Sequence, residues 1–453
     1  MTGMGHIRVD HAARRMVRGL AVVLLLVSSG CGVVSGTPDG ARSAAPSSAA
    51  PETSVSDLVL KSLKDVERFW SQTYPAISDG AAFEPVKGGF HPYTRSTPPP
   101  ACGDQPTEYE PNAFYCPAGD FIAWDAEALI PQLQASYGPL LVGVVMAHEY
   151  GHAVQARLAL AGQPTVVVEQ QADCYAGAWT ADVLAGRSIA FTGVTAPQLD
   201  NTVGGLLMLR DQPGTSAQAP QAHGNAFDRI RALQEGVESG AKKCVTYRAG
   251  NLPVTEVSFT SQEDAASGGN LPYDDAVNGL SADAQAYWKR TYPRLTDQPW
   301  RPLRVEPFDT SAPPPCAAPD ASAGGSAFFC PEGDFIAFDN EQLGPALYEN
   351  IGDNAVGTML GDLFARAAQG RRGASTRDRP GQLTVDCLTG SWTYDLLHRT
   401  NPAAGLTLSP GDLDEAVAAM LAFGRATEQQ GVSAFDRIAA YRNGVLQGLP
   451  ACN

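Results

Sequence analysis

His148, Glu149 and His152 stand in the order H-E-x-x-H within the largely apolar stretch Leu140 to Leu160 (LLVGVVMAHEYGHAVQARLAL). If that stretch is a buried helix, the four-residue spacing stacks both imidazoles on one face, one turn apart, close enough to share a metal ion. In this arrangement the histidines bind zinc and the glutamate between them is the general base toward an attacking water. The plain alternative is a pair of core histidines, and the rest of the ligand set separates the two readings. A catalytic zinc takes three protein ligands and keeps its fourth position open. Glu169 opens a second expected helix (VVVEQQADCYAGAWTADVL) and is the candidate third ligand. Asp173, one turn further on, can accept a hydrogen bond from a ligand imidazole and fix its tautomer.

Other residues could complete the chemistry. His223 lies at an expected helix start (His223-Gly224-Asn225) and is a candidate donor to a developing oxyanion, with Tyr175 behind it. A purely structural histidine fits His223 equally well, because geometry decides that role and residue type does not. The apolar run Phe121 to Trp124 reads as a strand preceding the metal helix. It is either the edge along which an extended substrate is laid or an ordinary core strand.

The elements that must position these groups occur twice. FWSQTYP (69 to 75) recurs as YWKRTYP (287 to 293), and FYCPAGDFIAWD (114 to 125) as FFCPEGDFIAFD (328 to 339). Asp173-Cys174 with Gly177 and Trp179 is answered by Asp386-Cys387 with Gly390 and Trp392, and AFDRI (226 to 230) by AFDRI (434 to 438). Such matches in the same order indicate tandem duplication. The expected organisation is α+β: a first domain over 56–250, a linker over 251–272, and a degenerate copy over 273–453. Alignment puts Asp362 opposite His148, Leu363 opposite Glu149, Arg366 opposite His152 and Gln382 opposite Glu169, so the second copy lacks the base and both histidines. Arg366 is expected to take the vacant metal position and to pair with Asp362, Asp386 or both. One zinc ion is therefore expected, in the first copy.

Cysteine usage follows the same division. Cys102, Cys116, Cys174 and Cys244 belong to the first copy, and Cys316, Cys330, Cys387 and Cys452 are their counterparts. The simplest connectivity is 102 with 116 and 174 with 244, repeated in the second copy, although spacing alone leaves other pairings open. Cys31 is left over. Arg14, Arg15 and Arg18 precede an apolar run from Leu20 to Val27 and then Ser28-Ser29-Gly30-Cys31, the layout of an export signal over residues 1–30. A cysteine after small residues resembles a lipoprotein cleavage site, which would make Cys31 a lipid anchor, with secretion or an uncleaved anchor as alternatives. Ser28 stands where such sites carry a branched apolar residue. Residues 31–55, rich in Ala, Ser and Pro, read as a tether. The expected location is the outer side of the cell membrane.

The chain has 453 residues, 44% hydrophobic and 18% charged, with a net charge of -16. That balance supplies ample core and lacks the basic footprint a nucleic acid requires.

HEYGHAVQ followed by E-x-Q-A-D-C-Y-A-G-x-W resembles the bacterial neutral zinc metallopeptidases, relatives of the gluzincins, which bind zinc through two histidines and a glutamate. The D-V-E-x-F-W segment at Asp65, F-Y-C-P at Phe114 and H-G-x-x-F-x-R at His223 match too. The resemblance implies zincin-like domains, zinc dependence and hydrolysis of a peptide or protein substrate, with the second copy free to bind a protein partner. The rival reading is a non-catalytic cell-surface protein with a structural zinc. An intact Glu149 argues against it, since a closed structural site has no need of a base.

Overall fold

A computed structural model describes residues 54–453, except 105–107, 161, 220–221, 323–324, 400–405, 428–430 and 453. The expected signal, Cys31 and nearly all of the tether lie outside the described residues. The architecture is α+β, with two small sheets among many helices.

The first half opens on α1 (Val55–Thr73). Ser54 caps it, its Oγ accepting the Asp57 N–H at 3.1 Å, and an apolar face including Val59, Leu63, Val66 and Trp70 turns inward. Three strands follow: β1 (Gly89–Tyr93), β2 (Ala113–Cys116) and β3 (Phe121–Asp125). β3 lies in the middle, parallel to β1 and antiparallel to β2. This decides between the two sequence readings of Phe121 to Trp124. Every residue of β3 is buried and both sides of its main chain are paired, so the Phe121 to Trp124 run is a core strand, and β1 and β2 are the edges.

The helices α2 (Leu129–Tyr137), α3 (Pro139–Arg157), α4 (Thr165–Leu184), α5 (Ala196–Met208) and α6 (Ala226–Ser239) complete this half. Gly138, at φ 89°, turns the chain into α3, and Pro139 starts the helix where its missing N–H costs nothing. α3 is apolar on nearly every side and is buried accordingly. Two glycines let α4 and α6 meet backbone to backbone. A Cβ at Gly177 would lie 2.0 Å from the Leu233 carbonyl oxygen, and one at Gly236 2.0 Å from that of Cys174.

The second half runs in the same order: α7 (Tyr273–Thr291), β4 (Arg304–Phe308), β5 (Asp320–Ser322), β6 (Ala327–Cys330), β7 (Phe335–Asp339), α8 (Leu343–Asn350), α9 (Asp353–Arg371), α10 (Arg379–Leu397), α11 (Asp412–Thr427) and α12 (Ala434–Gln447). β7 is parallel to β4 and antiparallel to β6, as β3 is to β1 and β2. Gly390 and Gly444 repeat the close approach: a Cβ there would lie 2.1 Å and 2.0 Å from the Tyr441 and Cys387 carbonyl oxygens. One difference stands out: β5 pairs antiparallel with the outer side of β6, making a fourth strand.

Residues 53–453 form one compact unit with a shared core. Gln234 Nε2 donates to the Phe435 carbonyl at 2.9 Å, and Arg442 reaches Gln234 and Glu238 at 3.0 Å each. The segment 251–272 packs onto both halves: Leu252 joins the core, Thr255 N–H donates to Asp228 at 2.8 Å, and Asn270 Oδ1 accepts the Asp353 N–H at 2.7 Å. Disulfides join Cys102 with Cys116, Cys174 with Cys244, Cys316 with Cys330 and Cys387 with Cys452. Four such bonds fit an oxidising, extracytoplasmic compartment. Among the described residues no helix is long and apolar enough to cross a membrane.

Candidate metal centre

α3 contributes His148, Glu149 and His152, and α4 contributes Glu169 and Asp173. The two imidazoles cross edge to face with centroids 4.8 Å apart. Both turn Nε2 toward one carboxylate: His148 lies 3.2 Å from Glu169 Oε2 and His152 3.6 Å from Glu169 Oε1. The Nδ1 atoms are engaged elsewhere. His148 Nδ1 meets Asp173 Oδ1 at 2.8 Å, and His152 Nδ1 meets Gln155 Oε1 at 2.9 Å. Holding each Nδ1 as a donor leaves the Nε2 lone pair for a metal. The donor set, two imidazoles and one carboxylate whose ligand atoms all lie within 4.8 Å of one another, therefore fits zinc.

The supports are themselves supported. Asp173 is 2% exposed and accepts two bonds from Arg229, Nε at 2.9 Å and Nη2 at 3.0 Å. Gln155 is fixed by donating to the Val168 carbonyl at 2.7 Å and to Gln171 at 3.0 Å. Neither Gln155 nor Arg229 was singled out from sequence. Gln155 stands three residues after His152 in HEYGHAVQ, and Arg229 is the arginine of the repeated AFDRI, whose recurrence pointed to it without revealing a role.

The electrostatics call for a positive charge between the carboxylates. Burial works against a protonated His148, yet Asp173 and Glu169 outweigh it and raise the imidazole to about 10. Burial likewise opposes ionised Glu169, and the two histidines overcome it, bringing the carboxyl down to about 2. His152 is lowered, chiefly by burial. Burial raises Glu149 to about 7. Glu149 Oε2 accepts the backbone N–H of Tyr115 at 3.0 Å, so the outer side of edge strand β2 faces this carboxylate.

His223 is half exposed, with Nδ1 3.5 Å from Asp211, and its charge is among the influences lowering Glu169. It stands just before Asn225, whose side chain caps α6. Tyr175 is placed otherwise than expected: it is fully buried with its ring edge-on to Trp70 at 5.1 Å, in the core.

In the second half Arg366, 2% exposed, donates to Asp362 Oδ2 at 2.6 Å and to Gln382 Oε1 at 2.7 Å. Its guanidinium thus joins the residues aligned with His148 and Glu169. A third partner comes from β5, where Asp320 Oδ1 accepts Arg366 Nη1 at 3.1 Å. Asp386 acts on Arg366 through its charge and takes its hydrogen bonds elsewhere. Arg437, the AFDRI arginine of this half, holds it with Nη2 at 2.7 Å, as Arg229 holds Asp173.

Residues 3–247 match the family described as "Putative neutral zinc metallopeptidase". The chain belongs to that family. Membership supports a zinc peptidase as the class of activity. Curated relatives include uncharacterised proteins of Mycobacterium bovis and Mycobacterium tuberculosis, 31% identical over 179 residues, covering 33% of this chain and 59% of theirs. The chain thus spans about three fifths of the length of the curated relatives it matches. No solved structure matches.

Proposed function

We propose that this protein is an extracytoplasmic zinc peptidase, tethered to the membrane through Cys31, with one active half and one degenerate half. The observation that carries the reading is the convergence of both Nε2 atoms on Glu169 while both Nδ1 atoms are held by Asp173 and Gln155. His148, His152 and Glu169 would hold the zinc, which supplies Lewis acidity toward a carbonyl and toward water. Glu149 lies outside that ligand set, one residue after His148 on α3. It takes the proton from the attacking water and delivers it to the leaving amine. Burial suits this role, since it keeps the Glu149 carboxylate basic enough to accept a proton near neutral pH. His223 is a further candidate donor at the mouth of the site.

The substrate, in this reading, is an extended peptide added antiparallel to the outer side of β2. Tyr115 N–H, directed at Glu149, belongs to that side, and strand addition supplies main-chain affinity with little demand on side chains. The second half supports the same placement. There β5 occupies the matching side of β6 and carries Asp320 to Arg366. That half is read as a degenerate copy that has filled its own cleft and serves as scaffold or as a surface for a protein partner.

The test is metal dependence of peptide cleavage. The zinc-loaded full chain is expected to cut members of an unstructured peptide library, to stop on chelation and to recover with one equivalent of zinc. Stoichiometric zinc with no cleavage of any library member would favour the non-catalytic binding protein instead.

A further inference from the structure

A second cluster of metal-type side chains lies far along the chain from the histidines. We propose that Asp353, Asp412 and Glu415 form a binding site for a calcium ion. One carboxylate oxygen of each lies within 4.8 Å of the others. Oxygens on opposite sides of one calcium stand about 5 Å apart, twice a bond of about 2.3–2.6 Å, so a single ion can bridge all three. The absence of histidine and thiolate from the set favours a hard cation over zinc.

The carboxylates are built into place. Asp353 and Asp412 are the first residues of α9 and α11, and Glu415 sits one turn into α11. Each uses one oxygen on a backbone amide: Asp353 Oδ2 accepts Leu271 N–H at 2.8 Å, Asp412 Oδ2 accepts Ser409 N–H at 2.8 Å, and Glu415 Oε2 accepts Asn354 N–H at 2.9 Å. The independent sign of a ligand is the other oxygen of Asp353. Asp353 is only 5% exposed, and its Oδ1 is buried with no hydrogen-bond partner. A buried oxygen left in this way beside two further carboxylates is tolerated only if something unseen satisfies it.

No basic side chain pairs with these three among the described residues. The nearby Arg210 is engaged by Asp414, 3.1 Å away. Asp264 adds a further negative charge near the cluster. Burial and mutual repulsion hold Asp353, Asp412 and Glu415 above the usual carboxylate range, Glu415 at about 8. Like charges this close do not ionise together without a counter-charge, and a divalent ion supplies one.

The position gives the ion a task. Asp353 N–H donates to Asn270 Oδ1 at 2.7 Å, and Ser409 Oγ donates to Asp264 at 2.9 Å, so the segment leading out of the first half is fastened at this point. Next door, Asp414 accepts the Phe227 N–H at 2.9 Å in the first turn of α6, the helix that carries Arg229 to Asp173. A bound ion would therefore stiffen the junction between the halves.

The experiment is calcium titration of the full chain, chelator-stripped and reloaded with zinc, by calorimetry, with melting followed in parallel. One calcium per chain and a higher Tm in millimolar calcium are expected. Asp412→Asn should weaken calcium binding at least about tenfold, having lost one charged ligand. In calcium-free buffer Asp353→Asn should melt above wild type, because a neutral amide replaces one of three crowded carboxyls that compete for protons. A wild type that takes up no calcium and melts at one temperature with or without it overturns the proposal and leaves the carboxylates sharing protons. The outcome is independent of the peptidase reading, because neither readout uses cleavage.

Discussion

At His148 a proton and a zinc ion compete for the same nitrogen. With Asp173 on Nδ1 and Glu169 on Nε2, the metal-free imidazole stays protonated up to about pH 10. The sign follows directly: below that pH zinc must displace a proton, so apparent zinc affinity rises with pH toward 10 and levels off above it. Calorimetry in buffers of differing ionisation enthalpy is expected to show about one proton released from His148 per zinc bound near pH 8. Proton-neutral binding would mean that the metal-free His148 is not held protonated by Asp173 and Glu169. At this scale the sequence was informative, because H-E-x-x-H at helical spacing and a carboxylate pair at Glu169 and Asp173 are local patterns. Gln155 and Arg229 were harder to see. Their roles depend on where α4 and α6 lie in space, and spacing along the chain does not state that.

The close approach of α4 and α6 is what lets Arg229 reach Asp173. Gly177→Ala places a methyl 2.0 Å from the Leu233 carbonyl oxygen, and the helices must separate to admit it. Overpacking of this kind costs about 1–3 kcal/mol, and it pulls Arg229 from Asp173, so both Tm and zinc affinity should fall. An unchanged melting curve with unchanged zinc binding would detach the glycine contact from the site. Helix identities along the chain were legible, since α3 and α4 begin and end within a few residues of their apolar runs. Strand order was not. Phe121 to Trp124 is apolar enough for either a central strand or a one-sided edge, and only the pairing with both β1 and β2 decides it. The three residues of β5 carried no sequence signal at all, being too short for alternation to register.

Over the whole molecule the two halves solve one problem with different charges. In the first, buried carboxylates and imidazoles leave room for a metal; in the second, Arg366 brings its own cation to Asp362, Asp320 and Gln382. Arg366→Met should therefore cost about 3–5 kcal/mol, because it strands buried Asp362 and Asp320, and it should lower Tm without changing zinc content. If zinc content fell with it, the halves would not be chemically independent. The loss of the histidines from the second half was visible in the aligned sequence. What replaced them was only half visible, because Asp320 arrives from a strand with no described counterpart in the first half, and Arg437, a residue marked only as part of a repeat, takes Asp386.

The central claim is that one zinc site in the first half performs hydrolysis with Glu149 as its base. It is tested most directly by comparing wild type and Glu149→Gln for zinc content and peptide cleavage in the same preparation. The account predicts one zinc per chain in both, with cleavage reduced by about 10²–10⁴-fold in the variant. Equal cleavage by the two proteins at equal zinc content would contradict it.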